Sequence, residues 1–288
     1  MITDDIPNDI RDCLASAWSI TEPKQGLTAD VAIVASGDKR FILKHSTDRF
    51  AQWLRTEFDV MLALERTPVP TARVHRFVDV QGDSNEDCWL LIDCIPGEQL
   101  AIRLSSPELP RDERYRLFRD CGAALATVHA VPPPPCLTNC SSNWLDALIS
   151  SAGKVQANRA RMFDKDKLET QARHEALLKI EQTRPPIERF TLIHGDCSVN
   201  NIIFDGTNVS LIDWGCATIG DPRYDIAQVL WVDPDSATAE MSDDIEAFFE
   251  GYGADPVPID IIRYYQELYD MGGQGCVQAM PLRAQSAV

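Results

Sequence analysis

No stretch of about eighteen apolar residues occurs anywhere in the 288-residue sequence, so the sequence offers no membrane span. Positive charge is also scarce. Only 27 Lys and Arg stand against 44 Asp and Glu, a formal net charge of −17, and a nucleic-acid partner is excluded because its phosphates would be repelled. The same deficit suits a cationic ligand, beside its plainer effect of keeping the surface soluble. The nine cysteines include no Cys-x-x-Cys pair, and their odd number fits a reducing compartment. Cys136 and Cys140 are the nearest pair, but no His or Cys group completes a zinc site, so they read as free thiols. Residues 1 to 12 have neither the basic start nor the apolar core of a secretory signal, and a cytoplasmic location is expected. Internal repeats are absent, and the length allows one large or two modest domains.

What the chain does contain is concentrated between His194 and Trp214. A polar loop ends in Asn201. The apolar runs 202–204 and 209–212 then flank Asp205-Gly206-Thr207-Asn208, a turn signal between strands. Folding that hairpin brings Asn201, at its entrance, beside Asp213, at its exit, so two oxygen ligands face one point. Asp196 precedes Asn201 by five positions on the same loop and can aim a carboxylate there. A carboxylate with an amide oxygen suits Mg²⁺, which favours hard oxygen ligands and keeps water and phosphate partners. The remaining carboxylate, Asp196, is then the base. Asp-x4-Asn followed by a metal-binding Asp is what phosphoryl transfer from ATP requires, since the work is charge neutralisation and in-line placement of the acceptor.

His194-Gly195-Asp196, Asn201, Ile212-Asp213-Trp214 and the run Gly220-Asp221-Pro222-Arg223-Tyr224-Asp225 together resemble the signature of the aminoglycoside phosphotransferase and choline kinase superfamily. That superfamily is a branch of the protein-kinase-like fold. Within it, residues 195 to 201 with 212 to 214 are most similar to the hygromycin phosphotransferase branch. The resemblance implies an α+β, bilobal architecture, with a small β-rich lobe over residues 1–95 and a larger, mainly helical catalytic and substrate-binding lobe over 96–288.

Residues 8 to 18 read as a short amphipathic helix through Ile10, Leu14 and Trp18. Residues 31–34 and 40–44 read as strand, turn, strand. The loop before them holds a single glycine, Gly26, and Thr28, whose backbone amides and hydroxyl could serve nucleotide phosphates. By resemblance, Lys44 holds the α and β phosphates and is fixed by Glu57. The helix expected over 49–66 buries Phe50, Trp53, Leu54, Phe58, Met61, Leu62 and Leu64, and stops at Pro68-Val69-Pro70. A strand pair, 72–80 and 88–92, leads to the break at Pro96-Gly97. The resemblance makes 93–97 the hinge, where backbone groups of Asp93, Cys94 and Ile95 read the adenine edge.

Helices are expected over 111–131, 145–183 and 236–280. His129, near the end of the first, matches a structural histidine of the family. Asp221 reads as a helix N-cap before Pro222. Asp225 matches the aspartate that braces the catalytic loop. Asp233, Asp235, Glu267 and Asp270 are candidates for holding substrate ammonium groups, the last two sharing a helix face.

The leading expectation is thus a kinase that transfers phosphate from ATP, or GTP, with Mg²⁺, to a hydroxyl of an aminoglycoside-type antibiotic, working as a monomer or weak dimer. One alternative is a metabolic kinase of the same fold acting on choline, an amino alcohol, a sugar amine or a hydroxyacyl thioester. An aromatic cage from Trp231, Tyr264, Tyr265 and Tyr269 would serve it. A nucleotide-binding pseudokinase is a third, against which the full set Lys44, Glu57, Asp196, Asn201 and Asp213 speaks.

Overall fold

The computed structural model describes residues 6–15, 17–21, 29–47, 50–81, 86–137, 144–162, 167–230 and 239–272. Its N-terminal region is one antiparallel sheet. Strands β1 (Trp18–Thr21), β2 (Asp30–Ser36), β3 (Lys39–Thr47), β4 (Val74–Gln81) and β5 (Glu86–Asp93) lie in the order β1-β2-β3-β5-β4. Alternation along the strands sorts the two faces. Ala32, Val34, Phe41, Leu43, Trp89 and Leu91 point one way and pack with Ile6 and Ile10, the latter on α1 (Asn8–Arg11). Leu90 and Ile92 point the other way, toward the main core. Lys44, paired in register with Leu90, shares their face.

That second face is covered by α2 (Ala51–Leu64), whose Leu54, Glu57, Val60, Met61 and Leu64 recur at helical spacing and are buried. Two expectations fail in this region. The N-terminal helix ends at Arg11, and Trp18 belongs instead to β1, where it pairs with Ser36, because a strand partner is available to it. Leu62 is 50% exposed, since it falls outside the stripe that its neighbours form.

Helices dominate after the sheet. α3 (Leu100–Leu104), α4 (Arg111–Ala130), α5 (Trp144–Met162), α6 (Lys167–Gln182), α7 (Arg223–Val229), α8 (Ala239–Tyr252) and α9 (Ile259–Asp270) enclose short strands β6 (Glu98–Gln99), β7 (Thr191–Ile193), β8 (Ile202–Phe204), β9 (Val209–Leu211) and β10 (Thr218–Gly220). The whole is an α+β protein with a sheet region followed by a helical one. The span expected as one helical stretch, 145–183, is two helices, α5 and α6.

α4 and α8 cross at glycines. A Cβ on Gly122 would lie 2.0 Å from the Phe248 carbonyl oxygen, and one on Gly251 would lie 1.8 Å from that of Arg119. Any larger residue would force the helices apart. Gly97 closes the other junction. Its φ of 120° admits only glycine comfortably, and a Cβ there would meet the Phe204 carbonyl oxygen at 2.1 Å, where β6 pairs with β8. The chain leaving the sheet is thereby joined to the β8–β9 hairpin.

Candidate active site

The hairpin forms as its turn residues dictate. The Asp205 carboxylate accepts hydrogen bonds from the amides of Thr207 (2.8 Å) and Asn208 (2.7 Å), and these bonds hold its carboxyl below the usual range. β8 and β9 pair Ile202 with Leu211 and Phe204 with Val209, and the Ile212 amide donates to the Asn201 carbonyl at 3.0 Å. Asn201 thus stands opposite Ile212, one residue short of Asp213.

Asp196 sits on the loop between β7 and the single turn Val199–Asn201. Asn201 Nδ2 donates to the Asp196 carbonyl at 2.8 Å and to its Oδ2 at 3.0 Å. With the nitrogen so committed, the amide oxygen of Asn201 is the end left for a cation. Gly195 makes the approach possible, because its φ is 81° and a Cβ would collide with the Cys216 carbonyl oxygen at 2.2 Å.

The loop is fixed from behind by Asp225 on α7. Its fully buried carboxylate accepts the His194 amide at 2.6 Å and the Gly195 amide at 2.9 Å. His129 Nε2 lies 3.3 Å from the same carboxylate, and its Nδ1 lies 2.9 Å from the Tyr252 hydroxyl. Arg189 donates to that hydroxyl at 3.0 Å. Buried polar groups are thus satisfied in a chain from the surface to the loop. His194 donates from Nε2 to the Ile212 carbonyl (2.9 Å), while its Nδ1 accepts the Asp196 amide (3.3 Å). Its two nitrogens are spent on shaping the loop.

Lys44 crosses from β3 to the hairpin. Its ammonium donates to both Glu57 oxygens, at 2.7 and 2.9 Å, and to Asp213 Oδ1 at 3.2 Å. Burial alone would lower its pKa, but the charges of Asp213 and Glu57 prevail and hold it above the ordinary lysine value. The Lys44 charge in turn holds Asp213 below the usual carboxylate range, against the opposing effect of burial. Asp213 has φ 67° and ψ 63°, the left-handed region, and is the one non-glycine residue with positive φ among the described residues. Half its side chain (48%) remains exposed.

Two hard oxygen donors, Asn201 Oδ1 and the Asp213 carboxylate, with room for water and phosphate oxygens, fit Mg²⁺. Among the described residues no three His, Cys, Asp or Glu converge as a metal cage.

At the expected hinge, the Asp93 amide donates to the Arg73 carbonyl and the Cys94 amide to that of Arg40. This leaves the Ile95 amide, which has no backbone partner among the described residues. Gly26, Thr28, Asp233 and Asp235 lie outside the described residues. Glu267 accepts Lys179 at 3.1 Å on an exposed surface, and Asp270 is exposed too, with partial desolvation raising its pKa.

The aromatic cage does not form. Tyr264 and Tyr265 are buried in the core, where Tyr265 donates to Asp221 at 2.7 Å and stacks edge-on with Tyr224. Trp231 lies outside the described residues. Of the three described members, Tyr269 alone reaches the site, donating to Asp196 Oδ1 at 2.7 Å. That contact spans 73 positions, and nothing in the local sequence announces it.

The helix α7 begins one residue later than expected, with Pro222 rather than Asp221 at its N-cap. Asp221, just before it, accepts the Arg223 amide at 3.0 Å and pairs with the Arg223 guanidinium. Cys136, like Cys13, Cys88, Cys94, Cys121 and Cys197, is in no disulfide, and Cys140 lies outside the described residues, but Cys216 is disulfide-bonded, which departs from the reducing compartment expected.

Residues 19–260 match the model of the family described as "Phosphotransferase enzyme family". The chain is similar to an aminoglycoside 3'-phosphotransferase of Streptomyces fradiae, 27% identical over 257 residues and covering 86% of each chain. Among solved structures it resembles an aminoglycoside-3'-phosphotransferase of type VIII, with a TM-score of 0.66 and 20% identity over 92% of this chain and 98% of that one. It also resembles an amicoumacin kinase in complex with AMP-PNP and Ca²⁺, with a TM-score of 0.64 and 15% identity over 96% and 87% of the two chains.

Proposed function

Because the chain belongs to the phosphotransferase enzyme family, whose members transfer phosphate to a hydroxyl, we propose that it transfers the γ-phosphoryl of ATP to a hydroxyl of an aminoglycoside antibiotic. The observation that carries this reading is the meeting of Lys44 with Asp213 at 3.2 Å, across 169 positions, beside an Asn201 already bonded to Asp196. A cation suited to phosphate, two oxygens suited to a metal and a carboxylate suited to act as base thus belong to one run of contacts. The name of the Streptomyces relative supports the aminoglycoside as acceptor, and AMP-PNP in the amicoumacin kinase supports ATP as donor. The acidic balance of the chain favours a polycationic acceptor.

In this reading residues 1–95 and 96–288 are two lobes hinged about 93–97, and the Ile95 amide with nearby carbonyls meets the adenine edge. Lys44, held protonated and aimed by Glu57, binds the phosphates of the nucleotide. Asn201 and Asp213 hold Mg²⁺, which supplies neutralisation of the charge on the phosphate oxygens. Asp196, steadied by Asn201, orients the acceptor hydroxyl and takes its proton as the new O–P bond forms. Asp225 keeps the loop in place through its backbone. Asp270, together with Asp233 and Asp235, is proposed to face ammonium groups of the acceptor.

The test is phosphate transfer by the purified protein with Mg-ATP across an aminoglycoside panel, with choline and amino alcohols alongside. Transfer to an aminoglycoside is expected. Turnover of an amino alcohol with none of the panel would replace the acceptor assignment.

A further inference from the structure

A base that accepts a proton from an alcohol must hold that alcohol within about 2.6–3.2 Å. In this structure one hydroxyl already stands there. The Tyr269 phenol donates to Asp196 Oδ1 at 2.7 Å, while Oδ2 takes the Asn201 amide at 3.0 Å. The side chain of Asp196 is therefore engaged on both oxygens by the protein itself.

The phenol is held there firmly. Tyr269 lies in the last turn of α9, and just beyond it the Met271 carbonyl accepts Gln156 Nε2 of α5 at 2.8 Å. Gly272, at φ 91°, abuts Val155 of the same helix so closely that a Cβ would lie 2.8 Å from it. Burial, then the neighbouring Asp196 charge, pushes the phenol pKa up, so the group stays a donor through the working pH range. A phenol that keeps its proton and donates to a carboxylate oxygen at 2.7 Å makes a short, directional bond.

We propose that Tyr269 is a plug: its hydroxyl occupies the acceptor's place on Asp196, keeps water from that place, and is displaced when the acceptor alcohol binds. The proposal rests on Asp196 being the base of the reaction above. Without the plug, a water on Asp196 Oδ1 could attack the γ-phosphorus. The water oxygen would bond to phosphorus, the bond from phosphorus to the bridging oxygen would break to release ADP, and the water proton would pass to Asp196. With acceptor bound, the same bonds change with the alcohol oxygen in place of water. Tyr269 thus acts as a positioning residue that sets which hydroxyl reaches the base.

The test compares wild type with Tyr269→Phe, which removes only the oxygen, and with Tyr269→Met, so that the outcome does not hang on the folding of one variant. ATP hydrolysis without acceptor is expected to rise by about tenfold or more, up to the roughly 10²–10⁴-fold that a positioned base contributes. The KM for the acceptor should fall several-fold, and by more than kcat changes. The extra hydrolysis should vanish when Asp196→Asn is combined with Tyr269→Phe. A raised acceptor KM with unchanged hydrolysis would overturn the proposal and make the phenol an acceptor contact. Extra hydrolysis that survives Asp196→Asn would overturn it too. Should no aminoglycoside be phosphorylated while hydrolysis still rises through Asp196, the plug stands and the acceptor assignment falls. Transfer to an aminoglycoside without any rise in hydrolysis means the opposite: the acceptor assignment stands and the plug falls.

Discussion

Two buried carboxylates support the site from opposite sides, and they do it differently. Glu57, on α2, holds Lys44 through a side-chain ion pair at 2.7 Å. Asp225, on α7, holds the catalytic loop through two backbone amides, with no side chain of the loop involved. An ion pair fixes a charge at the end of a long flexible chain and can adjust with its partner. Amides gripped by a carboxylate fix the path of the backbone. In the proposed function, the phosphate side would thus be set by electrostatics and the hydroxyl side by geometry, which matches what each would have to do.

The largest effect should come from removing what the backbone brace presents while sparing both supports. Asp196→Asn is expected to reduce transfer by about 10²–10⁴-fold with ATP affinity nearly unchanged, read by steady-state kinetics beside nucleotide titration. Weakened ATP binding of similar size would mean that Asp196 belongs to the nucleotide side. Next comes Asp225→Ala, which strands two buried amides and His129. It should cost about 2–5 kcal/mol of stability and most of the activity together. An inactive Asp225→Ala protein with wild-type melting would break the contrast between the two supports.

Glu57→Gln should be milder, raising the KM for ATP by about tenfold, as expected for the loss of one charge-assisted contact, with little change in melting temperature. The smallest effect is one of pH. The folded-state pKa of Asp213 is depressed by Lys44, so its contribution to stability is present above the ordinary carboxylate pKa of about 4 and is lost as pH falls through the lower folded value. The melting difference between wild type and Asp213→Asn should therefore shrink below about pH 4. A difference that instead grows on acidification would contradict the assigned direction.

The parts of the site that could be read in the sequence are those whose geometry is local. Asp196, Asn201 and Asp213 lie within one loop and one hairpin, and the turn residues Asp205 to Asn208 fix the fold-back that joins them. Lys44 and Glu57 needed a family resemblance, because a strand lysine and a helix carboxylate announce no partner by themselves. The acceptor side was the least legible. Tyr264 and Tyr265 share helical spacing with Tyr269, yet two are core and one faces the base, a division set by how α9 packs on α7. Trp18 and Leu62 depart from their periodicity for a related reason, since strand pairing and the arc of a buried stripe depend on neighbours far along the chain.

Asp213 has a consequence for selection. A residue with a Cβ in the left-handed region sacrifices about 1–2 kcal/mol that glycine would keep. Glycine at 213 would relieve that cost but would also withdraw the carboxylate from Lys44, so heat tolerance gains nothing clear from the exchange. The strained backbone and the charge it carries are thus tied to one codon, and neither can be optimised without disturbing the other.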